Sequence, residues 1–276
     1  MTIVEMFDVC SNRDIIRKKL VINPEDIVYV SGSILEGFGN KSSDVDVFVI
    51  ADKQKIENVV MDNKEIEELS LITDHSIIYN FIHDGLRFDV EYWDRDYVLE
   101  IISKLEQVDL NTDYYRNRLN STEIDFIHRL KFGKPMNNEV EFAALFKGVN
   151  LEKLNFVQFT EYSEYFSSYL EDIRGALESK DFLTVYILSH IILDVTINLY
   201  LSSKGETNPS NKWILRKLQR YISENNSEHY LMHNYLKFKS YTFNEETIEK
   251  HVLNLLNFTQ RLNDNAQLSI KQKQLR

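Results

Sequence analysis

Cysteine, long apolar runs and low-complexity stretches are scarce or absent in this sequence of 276 residues. Cys10 is the only cysteine, which excludes an internal disulfide and a zinc site built from several cysteines. There is no apolar run of about 18 residues, and the first residues lack the charged and apolar pattern of a secretion signal. The seven histidines are scattered rather than spaced as ligand pairs. These absences predict a soluble, cytoplasmic protein without a membrane partner.

The net charge of −11 is distributed unevenly along the chain. Residues 1–110 contain 11 Lys and Arg against 23 Asp and Glu, net −12, whereas the rest contains 21 against 20, net +1. An acidic surface repels long nucleic acids and attracts metal ions or cationic small molecules. The charge therefore argues against nucleic acid as a partner. The alternative is that the acidic residues only keep the protein soluble.

Residues 1–112 alternate between strand and helix patterns. The β-branched runs "DIVYVSG" and "DVDVFVIAD" predict two strands, and "HSIIYNFIHDGLRFDVEYWD" predicts a hairpin in which Gly85 supplies a positive φ. Helices are expected over residues 53–70 and 94–107. We therefore expect a mixed-sheet domain over residues 1–112.

Beyond residue 112 the strand pattern disappears and helical periodicity takes over. One helix is expected with Thr122 or Ser121 as its N-cap and with a stop at Gly133. Two long helices should meet near "ESKD", another should start at "NPS", and a last helix should precede a solvated tail, "SIKQKQLR". The expected fold class is α+β, with an all-α domain over residues 113–276.

The second predicted strand carries two carboxylates on one face. Side chains alternate along a strand, so Asp44 and Asp46 point the same way. Like charges at this spacing repel and raise each other's pKa, so a cation is expected beside them. Two carboxylates with room for more oxygen ligands suit Mg²⁺, which also takes substrate phosphates. A third carboxylate is expected on a neighbouring strand, where "RFDVEYW" offers Asp89 and Glu91.

A Gly-Ser pair ends the strand that precedes these aspartates. Gly32 and Ser33 are expected to open a short helix through "ILEGF", which would direct their N–H groups and the serine hydroxyl at phosphate oxygens. Glycine lets the backbone approach a ligand closely. Gly37 and Gly39 would then let the chain turn back toward the aspartates.

This ordered set of motifs resembles the DNA polymerase β-like nucleotidyltransferase superfamily, including the minimal and antibiotic nucleotidyltransferases. The set is Gly32-Ser33, ten residues, Asp44-x-Asp46 and a later acidic strand within an apolar frame. Ser43, directly before Asp44, matches the "SDxD" form of that superfamily. The resemblance covers about residues 25–95.

The resemblance implies a magnesium-dependent enzyme that moves a nucleoside monophosphate from an NTP, most readily ATP, to an acceptor hydroxyl and releases pyrophosphate. Asp44, Asp46 and Asp89 would be catalytic ligands of two Mg²⁺ ions. Glu91 would be an alternative third ligand or an added base. The nucleotide would be bound by Gly32, Ser33 and Ser43.

Several features of the helical half point to the acceptor and the nucleotide. Lys212, beside Trp213 at a helix start, is expected to reach the triphosphate. His190 and Asp194 are four residues apart on an apolar helix and form either part of an acceptor pocket or a buried pair. The aromatic residues of "NFVQFTEYSEYFSSYLEDI" form either core or a stacking surface for a base or a sugar-like acceptor.

The acceptor class has alternatives. A helical domain after an acidic catalytic domain suits a small, antibiotic-like acceptor with cationic groups. The alternatives are nucleotidylation of a protein or an RNA, and a toxin-antitoxin type of module whose helical domain binds a partner.

Overall fold

A computed structural model describes residues 9–20, 22–55, 71–111 and 119–274, which divide into two compact units. The first unit contains the described residues of 1–107 and 125–150, and the second contains those of 108–124 and 151–276. The helix predicted over 53–70 lies largely outside the described residues, and so does the domain boundary predicted at residue 112. That boundary stays a prediction.

The first unit is built on a six-stranded mixed sheet, which confirms the predicted fold class. Its strands cross the sheet in the order β3-β4-β5-β2-β1-β6. β2 and β5 pair in parallel, whereas the other neighbouring strands are antiparallel. The strands are β1 Ile27–Ser31, β2 Val45–Ala51, β3 Leu71–Ile72, β4 Ser76–His83, β5 Leu86–Asp94 and β6 Lys134–Asn137.

Helices flank this sheet in the chain. They are α1 Val9–Lys19, α2 Arg95–Glu106, α3 Ser121–Lys131 and α4 Glu139–Lys147, of which α3 belongs to the first unit from residue 125 onward. The predicted helix over 94–107 is confirmed as α2, which is capped by the side chain of Asp94. The predicted hairpin is confirmed as β4 and β5, whose turn has positive φ at Asp84 and Gly85.

One face of the sheet packs in a mostly aliphatic core. Val45, Val47 and Val49 alternate along β2 and are buried together with Ile16 of α1 and with Leu20, which follows that helix. The opposite face carries aromatic side chains, where the ring of Phe48 stacks on Tyr29 with centroids 4.9 Å apart. This second face is also the one that carries Asp46, two residues before Phe48. The β2 alternation therefore separates the apolar core from the acidic residues.

The second unit is helical. Its helices after the shared α3 are α5 Leu151–Glu178, α6 Phe182–Ser203, α7 Ile214–Glu224, α8 His229–Lys239 and α9 Ile248–Gln274. The two predicted long helices are confirmed as α5 and α6, and the helix predicted after "NPS" follows a short 3₁₀ turn, Asn211–Trp213. α6 packs against both α5 and α9.

The residues beyond 113 are not all helical, so this part of the expectation was wrong. β6 pairs antiparallel with β1 and adds an edge strand to the sheet. Its sequence "KPMN" is too short to show alternation, and Pro135 argues against a central strand while being tolerated at a sheet edge. A local sequence pattern therefore carries no sign of this pairing.

Two helix ends also differ from expectation. The cap of α3 is Asn120 rather than Ser121 or Thr122, because Asn120 and Glu123 exchange reciprocal hydrogen bonds of 2.9 and 2.8 Å between side chain and backbone. The segment expected to be a solvated tail continues α9 as far as Gln274. Burial of Ile270 within the second unit explains this extension.

α6 is long and apolar enough to cross a membrane by length and composition. Half of its most apolar window is buried inside the protein, as in the core helix of a helical bundle.

Candidate active site

The register of the parallel pair brings two of the predicted carboxylates together. Asp46 on β2 lies directly opposite Asp89 on β5. Partners in a register project from the same face of the sheet, so both side chains share the polar face. Asp44 lies just before β2 and raises the pKa of both Asp46 and Asp89 by charge repulsion. The three predicted metal-binding aspartates therefore influence one another directly.

Asp46 lies in a narrow space beneath the Gly32 turn. A Cβ atom added to Gly32 would stand 1.7 Å from Asp46 Oδ2, and the φ of Gly32 is +87°. Only glycine satisfies both conditions. Burial raises the pKa of Asp46 to about 6, against the lowering effect of Arg129 and with further raising by Asp89.

Asp89 is held by a neighbour on its own strand. Arg87 donates from Nε to Asp89 Oδ1 at 2.7 Å and from Nη2 to Asp89 Oδ2 at 3.4 Å. Burial raises the pKa of Asp89, while Arg87 lowers it. The carboxylate thus faces an arginine fork, whose guanidinium is half exposed.

Glu91 lies deeper along the same face, opposite Phe48. Trp93 Nε1 donates to Glu91 Oε2 at 3.1 Å. Burial raises the pKa of Glu91 to about 7, although the bond from Trp93 and the charge of Arg129 lower it. A carboxylate with such a pKa exchanges protons near neutral pH, which suits a general base.

Arg129 is a residue of the site that sequence analysis missed. It projects from α3, donates from Nε to Asp125 Oδ1 at 3.2 Å and places Nη1 3.6 Å from Asp46 Oδ2. The phenol of Tyr29, which is completely buried nearby, has no hydrogen-bond partner within the described residues. The only local sequence signal is the spacing of Asp125 and Arg129, four residues apart, which is common on solvated helices.

The Gly32 turn is fixed to α3 by two contacts. Ser31 Oγ donates to the carbonyl oxygen of Arg129 at 2.6 Å. Glu36 and His128 form a buried pair, with His128 Nε2 3.0 Å from Glu36 Oε1. The short helix expected to open at Ser33 is absent, because residues 33–37 form successive turns. The turns put the Gly32 backbone against the Asp46 carboxylate without a helix end.

One comparison with known protein families bears on the domain that carries this geometry. The family described as "Nucleotidyltransferase domain" matches residues 13–146. Residues 13–146 therefore resemble a nucleotidyltransferase domain. Its match includes the predicted residues from Gly32 to Glu91 and also Arg129, which confirms the family resemblance and assigns nucleotidyl transfer as the activity of the domain.

A solved structure resembles the whole chain. It is a nucleotidyltransferase-like protein from Exiguobacterium sibiricum 255-15, with 13% sequence identity and a TM-score of 0.44. The match covers 96% of this chain and 79% of that one. Among curated proteins, none matches the chain significantly.

Magnesium was predicted at the aspartates of the nucleotidyltransferase domain. Among residues 9–20, 22–55, 71–111 and 119–274, no three acidic, histidine or cysteine side chains are grouped as a metal site. The donors nevertheless fit Mg²⁺ chemically, because they are carboxylates whose burial and mutual repulsion raise the pKa of Asp46. Asp46 and Asp89 each face an arginine instead. A metal ion bound to these carboxylates would therefore compete with the two guanidinium groups.

The two remaining predicted residues, Ser43 and Lys212, each make a contact within their own unit. The Ser43 hydroxyl accepts from the backbone N–H of Asn40 at 2.8 Å and so supports a turn. Lys212 belongs to the second unit, where its Nζ lies 5.1 Å from the ring centroid of Trp213. Binding of nucleotide by these two residues stays a prediction.

The second unit contains a cavity of about 330 Å³. Glu161 and three tyrosines of α5 contribute to its lining, together with amide side chains; the tyrosines are Tyr162, Tyr165 and Tyr169. The hydroxyl of Tyr165 donates to Glu161 Oε1 at 3.3 Å. Some of the aromatic residues predicted as either core or a stacking surface therefore line a cavity.

His190 and Asp194 do not pair with each other in the second unit. Asp194 instead accepts from Tyr235 at 3.0 Å and from Lys239 at 2.7 Å. The Nε2 atom of His190 is buried and has no hydrogen-bond partner among the described residues. Neither residue lines the cavity described above.

Proposed function

We propose that the chain transfers a nucleoside monophosphate from a magnesium-bound NTP, most readily ATP, to a hydroxyl group of a small molecule. The observation that carries this proposal is the register of Asp46 opposite Asp89, with Asp44 beside them and Gly32 closing over Asp46. Mg²⁺, when bound, supplies positive charge that stabilises the triphosphate and the departing pyrophosphate. Asp44, Asp46 and Asp89 would hold it.

The chain's own groups then divide the remaining tasks. The Gly32 turn and the Ser33 hydroxyl bind the β- and γ-phosphates, because a Cβ-free backbone allows close approach. Glu91 takes the proton of the acceptor hydroxyl, consistent with its pKa near 7. The acceptor oxygen forms a bond to the α-phosphorus, the bond from that phosphorus to the bridging oxygen breaks, and pyrophosphate leaves.

The acceptor class rests on the cavity of the second unit. Its volume of about 330 Å³ falls within the range of small-molecule sites. Tyrosine rings give flat apolar surfaces, whereas Glu161 and Asn211 offer groups that bind hydroxyls and amines. A hydroxylated small molecule with an amino group, such as an aminosugar compound, fits this lining better than an extended polymer. We propose a cytoplasmic location for this reaction.

The test is transfer of radiolabelled nucleotide. Each of the four NTPs, labelled at the α-phosphate, is incubated with the full chain, Mg²⁺ and a panel of aminosugars, proteins and RNA. We expect labelled small-molecule product, and loss of at least 100-fold activity in an Asp44→Asn, Asp46→Asn double variant, in line with the usual cost of losing catalytic groups of this kind.

Asp14→Asn is the matched control, because Asp14 is exposed on α1, which packs on the opposite face of the sheet. It should retain wild-type activity. Full activity of the double variant would overturn the proposed role of these aspartates. Labelled protein or RNA without labelled small molecule would overturn the proposed acceptor class.

A further inference from the structure

Arg129 lies where the predicted triphosphate grip and the acidic pair meet. Its Nη1 is 3.6 Å from Asp46 Oδ2, and it would be 3.0 Å from a Cβ atom built on Gly32. The side chain is only 19% exposed. A guanidinium group thus stands directly beside the backbone that we propose as the phosphate-binding turn.

The position of Arg129 is fixed from two sides. Its backbone oxygen accepts from Ser31 Oγ at 2.6 Å, and its Nε donates to Asp125 at 3.2 Å. The distance of 3.6 Å from Nη1 to Asp46 is an ion pair that is too long for a good hydrogen bond. The Nε side of the guanidinium is therefore held by Asp125, whereas Nη1 makes no short contact with Asp46 and can turn toward another partner.

The charges around Arg129 favour an exchange of partners. Asp46, Glu91 and Asp125 are all within electrostatic range of the guanidinium. A Mg²⁺ ion on Asp46 would repel the guanidinium, and the same ion arrives with a polyanionic triphosphate. Arginine binds phosphate oxygens through paired N–H groups. The Asp46 carboxylate, 3.6 Å from Nη1, does not make such a paired contact with Arg129.

We propose that Arg129 is a nucleotide-binding residue that pairs with Asp46 before nucleotide binds and turns onto the triphosphate when it does. The proposal rests on the proposed function, since it takes an NTP as the ligand of this site. Arg129 then has two partners in turn: it neutralises Asp46 before Mg²⁺ arrives, and it neutralises phosphate afterwards. Its movement frees the Asp46 carboxylate for the cation.

Two binding measurements that need no turnover test this exchange. The first is calorimetric titration of the EDTA-treated chain with ATP and, separately, with inorganic tripolyphosphate. Arg129→Ala should weaken both by about 10- to 100-fold, the usual effect of losing a charge-assisted contact. The second is titration with Mg²⁺ alone, for which the same variant should bind several-fold more tightly, because a competing cation has gone.

The controls separate a local role from a change in overall charge or in folding. Arg17→Ala removes the same charge from an exposed site on α1 and should leave both titrations unchanged. Arg129→Lys keeps the charge but lacks the fork, so it should bind tripolyphosphate with intermediate affinity. If Arg129→Ala does not fold, the titrations of Arg129→Lys still test the proposal.

Opposite changes in phosphate and Mg²⁺ affinity support the proposal. Unchanged tripolyphosphate affinity in both Arg129 variants would overturn it, and so would equal weakening of both ligands, which indicates a purely structural role. A wild-type chain that binds ATP and Mg²⁺ but transfers nothing to any acceptor would refute the proposed function and leave the Arg129 result readable. A wild-type chain that binds neither ligand would overturn both.

Discussion

Replacement of Gly32 by alanine tests the geometry of the candidate site most directly. The added Cβ would lie 1.7 Å from Asp46 Oδ2, 2.6 Å from Asp46 Cγ and 3.0 Å from Arg129 Nη1. The carboxylate must therefore move, and the ion pair with Arg129 must change with it. We expect Gly32→Ala to disturb the nucleotide site and the stability of the first unit together.

The magnitude has two parts. The left-handed backbone at φ +87° costs alanine about 1–2 kcal/mol of unfolding free energy relative to glycine. Overpacking against Asp46 adds about 1–3 kcal/mol. Gly37 separates these two effects, because its φ is +78° but no atom lies within 4 Å of an added Cβ. Gly37→Ala should therefore lose only the backbone part, so the two variants should differ by about 1–3 kcal/mol.

Urea unfolding followed by the fluorescence of Trp93 measures this difference in the first unit. The chain has two tryptophans, so a Trp213→Phe background leaves Trp93 as the sole reporter. Binding of ATP with Mg²⁺ is measured in parallel, and we expect its loss in Gly32→Ala and its retention in Gly37→Ala. If Gly32→Ala cost no more than Gly37→Ala and bound ATP normally, the close approach of Gly32 to Asp46 would be refuted.

Two further predictions concern pH and helix capping. Burial raises the pKa of Glu91 from its ordinary value of 4.5 to about 7, so the folded chain holds a proton that the unfolded chain has released. Without Mg²⁺, the free energy of unfolding should fall by on the order of 2–3 kcal/mol as pH rises from about 5 to 8. In urea titrations, Glu91→Gln should remove most of this dependence of the unfolding free energy on pH. The part that comes from Asp46 should remain. An unchanged pH dependence would contradict the raised pKa of Glu91. Asn120→Ala should lower stability by about 1 kcal/mol in thermal unfolding, whereas Thr122→Ala should not, and equal effects would contradict the observed cap.

The acidic cluster could be predicted because it depends on strand alternation. Period two predicts that Asp44, which lies just before β2, shares a side with Asp46, and it places Asp89 on the equivalent face of β5. Because the residues that flank these carboxylates are apolar, both segments were predicted as neighbouring strands of one sheet. The sequence left Asp89 and Glu91 as alternative third ligands; the register makes Asp89 the direct partner of Asp46, and its role as a metal ligand stays a prediction.

Arg129 could not be predicted, because its position depends on how α3 packs. Phe126 of α3 contacts Trp93 with ring centroids 4.5 Å apart, and also contacts Phe48, and these contacts set where the helix crosses the sheet. A helical pattern indicates which residues share a face but not which strand that face covers. β6 was missed for a related reason, since a four-residue edge strand gains its pairing from β1 rather than from its own sequence.

The carboxylates with raised pKa and the two arginines both reflect the high density of negative charge at this site. Burial raises the pKa of Asp46 and Glu91, so without a bound cation the site favours protonation of some of its carboxylates. Arg87 and Arg129 offset part of the remaining charge, but each guanidinium would repel a metal ion bound alone. An anion bound alone would in turn meet the carboxylates. A ligand that carries Mg²⁺ and triphosphate together satisfies both sets of groups at once, since the cation goes to the carboxylates and the phosphates go to the arginines. Metal and nucleotide should therefore each increase the affinity of the site for the other, because each relieves the repulsion that opposes its partner.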